Sequence, residues 1–453
     1  MALEEQFYEI PAARWRRTLP WLRLFRGFRM SLDARKLMLA VLGLLVFWAG
    51  QWAFDRLPFS PTARQAKDPV ASTDAWLRSW LGLAVETSSG EPVPVASMPA
   101  SFPGGAELLS VLTEPWRQTA SPAVSLTRRN QSWSDVAWGW TNLVWALVVW
   151  AVFGGAIARI AALDVAGRGS IGLRGALRHS TGHLVSYLGG PLLPIIGFGI
   201  FWLLSLVVGL VGHIPSVGPT LLGAAWFVPL CLGVLQALIL AGALLAWPLM
   251  YCTISVEGSD AFDAMSRAYS YLFSRPWQAA WLTLLSALYG VVVTLFLLAV
   301  VAASMHLAQW SVSTSFGADG VQALTEAPLF GASSPAAEAA LPGPAMAFAG
   351  FWRQIVAVLL LGYVHSFFWT MSTIAYFVLR HAEDATPFEQ MYVPSEASGR
   401  TAGPVLSGMA AAERREQAAG SPSPAETSPD VSPDRTAGDA GDAAKDAGPG
   451  GAA

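Results

Sequence analysis

His179 and His183 stand four residues apart in His-Ser-Thr-Gly-His, a spacing that puts both imidazoles on one helix face, where they could share a metal ion. A zinc-protease helix also needs Glu directly after the first His, and Ser180 occupies that position, so a surface pair is the plainer reading. Cys231 and Cys252 are the only thiols and fall in one apolar run, which argues against a disulfide framework or a cysteine zinc site and leaves them as small packing residues. His365 lies in the last apolar run, where an ionisable group is a functional candidate by default. Its ordinary state is a neutral imidazole, hydrogen-bonded inside a bundle near Tyr363 or Ser366. The other deep positions hold Gln236, Asn142 and scattered Ser and Thr, with no Asp, Glu or Lys. Arg159 and Arg353 lie near the ends of apolar runs, where they can snorkel to the interface. The paired acid and base groups of an intramembrane enzyme or an ion pump are therefore missing. The chain reads as non-enzymatic, with no catalytic, cofactor-binding or metal-ligating set.

The most distinctive local sequence runs from Glu257 to Trp277. Gly258 suits the end of an incoming helix, Ser259 or Asp260 suits the cap of a new one, and Asp263 three residues on completes a reciprocal cap. The spacing predicts an amphipathic elbow helix with Phe262, Met265, Tyr269 and Leu272 or Phe273 on its apolar face. Asp260, Asp263, Ser266, Arg267 and Ser270 fall on the other face, where Asp263 and Arg267 form an i,i+4 pair. Glu257, Asp260, Asp263, Ser266 and Arg267 are thus the candidate functional elbow. The stretch from Asp164 to Ser180 reads as a degenerate copy, with Asp164-Val-Ala-Gly167 matching Ser255-Val-Glu-Gly258, and Arg380 to Tyr392 as a third exit of the same kind. A duplication would give two parallel helix-elbow-helix units.

The elbow from Ile254 to Pro276, together with Trp150-Ala-Val-Phe-Gly-Gly-Ala-Ile-Ala-Arg-Ile-Ala-Ala162, resembles an uncharacterised group of bacterial multi-pass membrane proteins. More distantly the elbow is similar to the membrane domain attached to some glycerophosphodiester phosphodiesterases. The resemblance covers the second to sixth apolar runs and implies a polytopic helical fold. The metal-binding carboxylates of the soluble phosphodiesterase barrel have no counterpart, so no activity is inherited.

Elements that could carry these residues follow from composition. Of 453 residues, 53% are apolar and 13% charged, and the 20 Trp suit the boundary between hydrocarbon and headgroups. A hydrocarbon core of about 30 Å needs roughly twenty apolar residues per helix. Six runs qualify: Leu37 to Phe54, Val136 to Ala162, Leu184 to Val211, Leu221 to Ile254, Trp277 to Ala308 and Phe348 to Leu379. The expected fold is an all-α membrane protein with six transmembrane helices, interfacial elbow helices and a disordered tail. Gly233, Ala237 and Ala241, like Gly154, Ala158 and Ala162, recur every four residues and suit close helix contacts. Pro191 and Pro194 in the third run and Pro229 and Pro248 in the fourth are candidate helix breaks, which at membrane depth must be covered by protein or line a cavity.

Basic flanks set the orientation. Arg14, Arg16, Arg17, Arg23, Arg26, Arg29, Arg35 and Lys36 precede the first run, and alternate loops carry Arg168, Arg174, Arg178, Arg267 and Arg275, so both termini are expected in the cytoplasm of a cell with an inner membrane. The long outer loop from Asp55 to Asp135 dissents with seven basic residues, but loops of that length translocate largely regardless of charge. Within it, Asp74 to Leu83 and Gly105 to Trp116 read as helices resting on the outer surface. Residues 1–36, with Trp15, Leu19, Trp21, Leu22, Phe25 and Phe28 among the arginines, form a basic amphipathic segment drawn to anionic lipid headgroups and interrupted by Pro20. Residues 381–394 make an exit segment, and the tail from Ser395 is too poor in large apolar side chains to fold. Membrane lipids, protein partners or a second copy are the expected partners, with no nucleic acid. The chain reads first as an organiser of lipid or partner proteins, and second as a carrier of an uncharged or lipid-like solute.

Overall fold

The structure is a computed structural model that describes residues 20–57, 60, 105–128, 131–317, 320–321 and 343–392. The basic residues before Pro20, the expected helix at Asp74 to Leu83 and the C-terminal tail lie outside the described residues. A 3-10 turn, Pro20–Arg26, leads into α1 (Gly27–Ser31) and α2 (Ala34–Phe54). Next come α3 (Gly105–Leu112), α4 (Glu114–Ser125), α5 (Trp133–Ala166), α6 (Leu173–Gly182) and α7 (Leu184–Leu210). The rest is α8 (Gly218–Ala224), α9 (Phe227–Glu257), α10 (Ala261–Ser274), α11 (Pro276–Phe316) and α12 (Gly343–Asp384), with no strand among the described residues. Helices α2, α5, α7, α9, α11 and α12 are each long and apolar enough to cross a membrane. The chain is a multi-pass membrane protein. Since the spans alternate in direction, α6, α10 and both ends of the described chain share one face, here the elbow face; the other is the far face.

Local sequence explains where the spans begin. Asp33 caps α2 by accepting from Arg35 N, and Ser132 with Asp135 forms a reciprocal capping box on α5. Helices α5 and α9 both end at a left-handed glycine, Gly167 (φ 66°, ψ 24°) and Gly258 (φ 65°, ψ 24°), where an L side chain would be strained. Each is followed by a short helix and then a span, so the two elbows share a stop as well as a sequence pattern. The third exit differs. Helix α12 ends before Ala385 (φ 52°), and residues 385–392 cross the elbow face without forming a helix.

The centre of the molecule is α5, α12 and the elbow-side half of α9. Trp150 of α5 stacks on His365 of α12 at 4.8 Å, and Tyr251 of α9 stacks on Trp369 at 5.4 Å. By contrast, none of the most apolar stretch of α7 is buried, and little of α9 or α11 is. Gln236 donates to Ser205 Oγ at 3.0 Å and ties α9 to α7. The stripe Gly233, Ala237 and Ala241 faces outward instead of forming the expected contact, whereas Gly154, Ala158 and Ala162 are buried.

The proline positions need correction. Helix α7 runs unbroken through Pro191 and Pro194, and α9 runs through Pro248. The interruption in the fourth run falls at Ala225 and Trp226, between α8 and α9, and Pro229 sits in the first turn of α9, where a missing N–H costs nothing. Pro248 leaves the Leu244 carbonyl without its helical donor. Trp116 of α4 supplies one, Nε1 donating at 2.7 Å. Trp116→Phe keeps the ring and removes the donor, so it should cost about 1–3 kcal/mol of thermal stability in detergent. Trp116→Phe in a Pro248→Ala background should cost much less, because Ala restores the helical N–H.

That contact belongs to the largest departure from expectation. Gly105 to Trp116 does not rest on the surface. Trp150, the midpoint of α5 and about 25 Å along the axis from either end, donates from Nε1 to Gln118 Oε1 at 3.0 Å. Farther out, Leu126 packs against Gly139 near the start of α5. Helix α4 therefore runs from mid-depth to the far face, antiparallel to α5. Pro115 removes one N–H at the bend between α3 and α4, and Leu112 there fills a notch over Gly290 of α11 and against Phe367 of α12. Residues 105–125 are a re-entrant segment, with the bend between α3 and α4 at mid-depth and the end of α4 near the far face.

Candidate functional site

The elbow residues gather around one carboxylate. Asp260 caps α10, accepting from Asp263 N at 2.8 Å, while the Asp263 side chain turns to Arg267 at 2.9 Å. Arg267 also pairs with Glu257, the last residue of α9. Glu257 in turn accepts from Tyr376 Oη at 2.6 Å and pairs with Arg380 at 3.3 Å, both on α12. Two further ties bind α10 to the end of α12: Tyr271 donates to Asp384, and Arg275 pairs with Glu383 at 2.6 Å. Ser266 is exposed and stands apart from this cluster. Among the expected elbow residues, Glu257, Asp263 and Arg267 form the network and Asp260 shapes the helix. Their α12 partners lie more than a hundred residues away, and no local pattern announces them.

The buried face of α10 differs from expectation. Ala264, Ala268 and Tyr271 are buried, whereas Phe262 and Phe273 are exposed. An elbow in a membrane interface has a protein side, a lipid side and a water side, and the largest apolar groups serve the lipid side.

Residues 385–392 close the elbow face. Arg159 is buried rather than snorkelling, and it donates to Ser255 O at 2.7 Å and Tyr392 O at 2.9 Å. A guanidinium there satisfies a carbonyl in the last turn of α9 and complements that helix end. Tyr392 N donates to Val256 O at 2.8 Å, Arg168 donates to Glu389 O at 2.8 Å, and the Arg23 guanidinium lies 3.6 Å from the centre of the Phe388 ring. Arg353 is likewise buried. The segment before α2 is not a free interfacial helix either, since Leu24 is buried and Ser366 Oγ donates to Ser31 O at 2.8 Å.

His179 and His183 sit on α6 and at its end, with ring centres 4.5 Å apart. Among the described residues no three His, Cys, Asp or Glu side chains converge as a metal site. Burial, reinforced by the positive Arg159 and by His183, pushes the His179 imidazole down to about 3 from its ordinary 6.5. Between these values the unfolded chain binds a proton that the fold refuses, so stability rises with pH across that window and falls on acidification. Thermal melts of His179→Gln should show a flatter acid limb below pH 6.5 than the parent. Equal slopes would mean that His179 is not the group responsible.

The second polar gathering is at mid-depth. His365 is buried, with Nδ1 held by Leu361 O at 2.9 Å and Nε2 without a hydrogen-bond partner. It shares Trp150 with Gln118 of the re-entrant segment. Beside Gln118 stand Glu114 and Thr119, both buried. The spans themselves lack deep carboxylates, but Glu114 reaches membrane depth on a segment that sequence reading leaves at the surface.

Fold and site together define a polytopic helical membrane protein with a clamped elbow face and a re-entrant segment. Comparison with family models, with curated proteins and with solved structures finds no match to this chain.

Proposed function

We propose that this chain is a non-enzymatic protein of a bacterial cytoplasmic membrane, with both ends in the cytoplasm, that organises lipid or partner proteins. The resemblance to bacterial multi-pass proteins belongs to the same proposal. The observation that carries it is a contrast, among the described residues, between a closely packed centre of α5, α12 and α9 and apolar outer faces. The space between α4, α5, α7 and α9 is a cavity of about 20 Å³, lined mainly by Ala and Leu, too small for a solute and too apolar to hold a water well. Outside it, α7, α9 and α11 present apolar side chains such as Ile200, Leu203, Val234, Leu238, Leu288 and Val292. Exposed Arg26, Arg29 and Arg174 on the elbow face suit anionic headgroups. Cys231 is exposed on α9 and provides a native crosslinking handle. Thiol crosslinking in native membranes should trap a defined adduct with a second copy or a partner, lost in Cys231→Ser.

A second reading, a carrier of an uncharged or lipid-like solute, is favoured by the re-entrant segment, because irregular backbone at membrane depth often borders a permeation path. Purified protein in liposomes distinguishes the two. Transfer of labelled lipid or solute above the empty-liposome rate would overturn the organiser reading.

A further inference from the structure

We propose that Glu114 is an intramembrane proton-binding site, formed where the bend of the re-entrant segment meets the middle of α5, and that it holds its proton at neutral pH. Four observations carry it. Glu114 lies one turn deeper than Gln118, whose side chain meets the midpoint of α5, so the carboxyl sits near the centre of the bundle. Its side chain is only 10% exposed. One of its oxygens, Oε2, is buried without a hydrogen-bond partner. Arg117 Nη1, one turn along the same helix, approaches this same oxygen only to 3.6 Å, an ion-pair contact longer than a hydrogen bond, with about a third of its side chain exposed.

An ionised carboxylate at such depth requires a close, hydrogen-bonded cation, and without one it takes up a proton. Arg117 is within Coulombic reach but too far to donate, and it retains a route to water. The step is simple: Oε2 gains an O–H bond to a proton drawn from far-face water, no other bond changes, and the site loses one negative charge. Neutral Glu114 then becomes a donor, and Thr119 Oγ1 on the same helix is also buried without a partner. Among the elements packed on α4, α12 contributes Arg353 and His365, α5 contributes Asp135, held in its capping box, and α3 carries Glu107 in its sequence. The α9 surface that receives Trp116 contributes a carbonyl. Arg117 is the nearest charge, and the Gln118 side chain adds a neutral hydrogen bond to the same carboxyl; both favour the ionised form and oppose burial.

The test is infrared difference spectroscopy on the full chain in lipid nanodiscs, titrated from acid to alkaline pH. The C=O stretch of a protonated, weakly hydrogen-bonded carboxyl should be present at neutral pH, bleach at alkaline pH and be lost in Glu114→Gln. Arg117→Gln should move the bleaching step to higher pH by about one to three units, because it removes a nearby positive charge. If Glu114→Gln does not fold, Glu114→Asp replaces it and should displace the band in frequency. A band indifferent to all three substitutions, or no such band in the parent, overturns the proposal and makes Glu114 a permanently ionised partner of Arg117.

Discussion

Glu257→Gln should lower the stability of the protein by about 3 kcal/mol, measured as a loss in thermal unfolding midpoint in detergent or nanodiscs, while Asp263→Asn should cost under about 1 kcal/mol. Both remove a carboxylate from the same elbow and both carboxylates pair with Arg267, so their charge change is identical. What differs is what each leaves behind. Glu257 is 13% exposed and its partner Arg380 only 7%, and Tyr376 donates to the same oxygen from the buried face of α12. Removing that charge strands a guanidinium with little water to replace its partner. Asp263 and Arg267 are 41% and 42% exposed, where solvent screens the pair. The Asp260 cap survives both changes, so helix α10 itself should persist. Arg380→Gln combined with Glu257→Gln should recover part of the loss, since neutralising both partners removes the stranded charge. If the two single variants melted alike, Glu257 would not be the hub that joins α9, α10 and α12.

Six spans and two elbows are legible in the sequence because their causes are local. Length and hydropathy mark a membrane helix, Gly258 marks its end and Asp260 marks the next beginning. The buried face of α10 is not legible from amphipathicity, which separates polar from apolar but not protein from lipid. Ala264 and Ala268 face the bundle because small side chains let backbones approach, whereas Phe262 and Phe273 are free to meet lipid. The re-entrant segment escapes for a different reason. Pro115, Arg117, Gln118, Thr119, Ser121 and Pro122 give it the composition of a surface loop. Its burial is made by α5, α9, α11 and α12 closing around it, through contacts such as Trp116 to Leu244 and Gln118 to Trp150 that no periodicity encodes. Even so, a Pro-freed carbonyl at Leu244 in an apolar helix poses a readable question, because something must satisfy it.

The other large effect is expected at the opposite edge of the elbow face, where Lys36 of α2 meets Asp164 at the end of α5. Positive flanking charge explains why a lysine stands before a span, but not why this one is completely buried. Its ammonium pairs with Asp164 at 2.6 Å and donates to Met30 O at 3.0 Å, so it joins α2, α5 and the last turn of α1. The pair is lopsided, for the Asp164 side chain keeps 24% of its exposure and Lys36 keeps none. Asp164→Ala should therefore be severe, about 3–5 kcal/mol, because it leaves a buried ammonium with one carbonyl and only the more distant Asp33, itself paired with Arg35, as counter-charge. Lys36→Met should be much milder, since the thioether chain fills the same space and Asp164 can turn to water. The double variant should match Lys36→Met and lie well above Asp164→Ala. That ordering, read from unfolding midpoints, distinguishes a buried charge in need of a partner from an ordinary surface pair, for which all three variants would differ by less than about 1 kcal/mol.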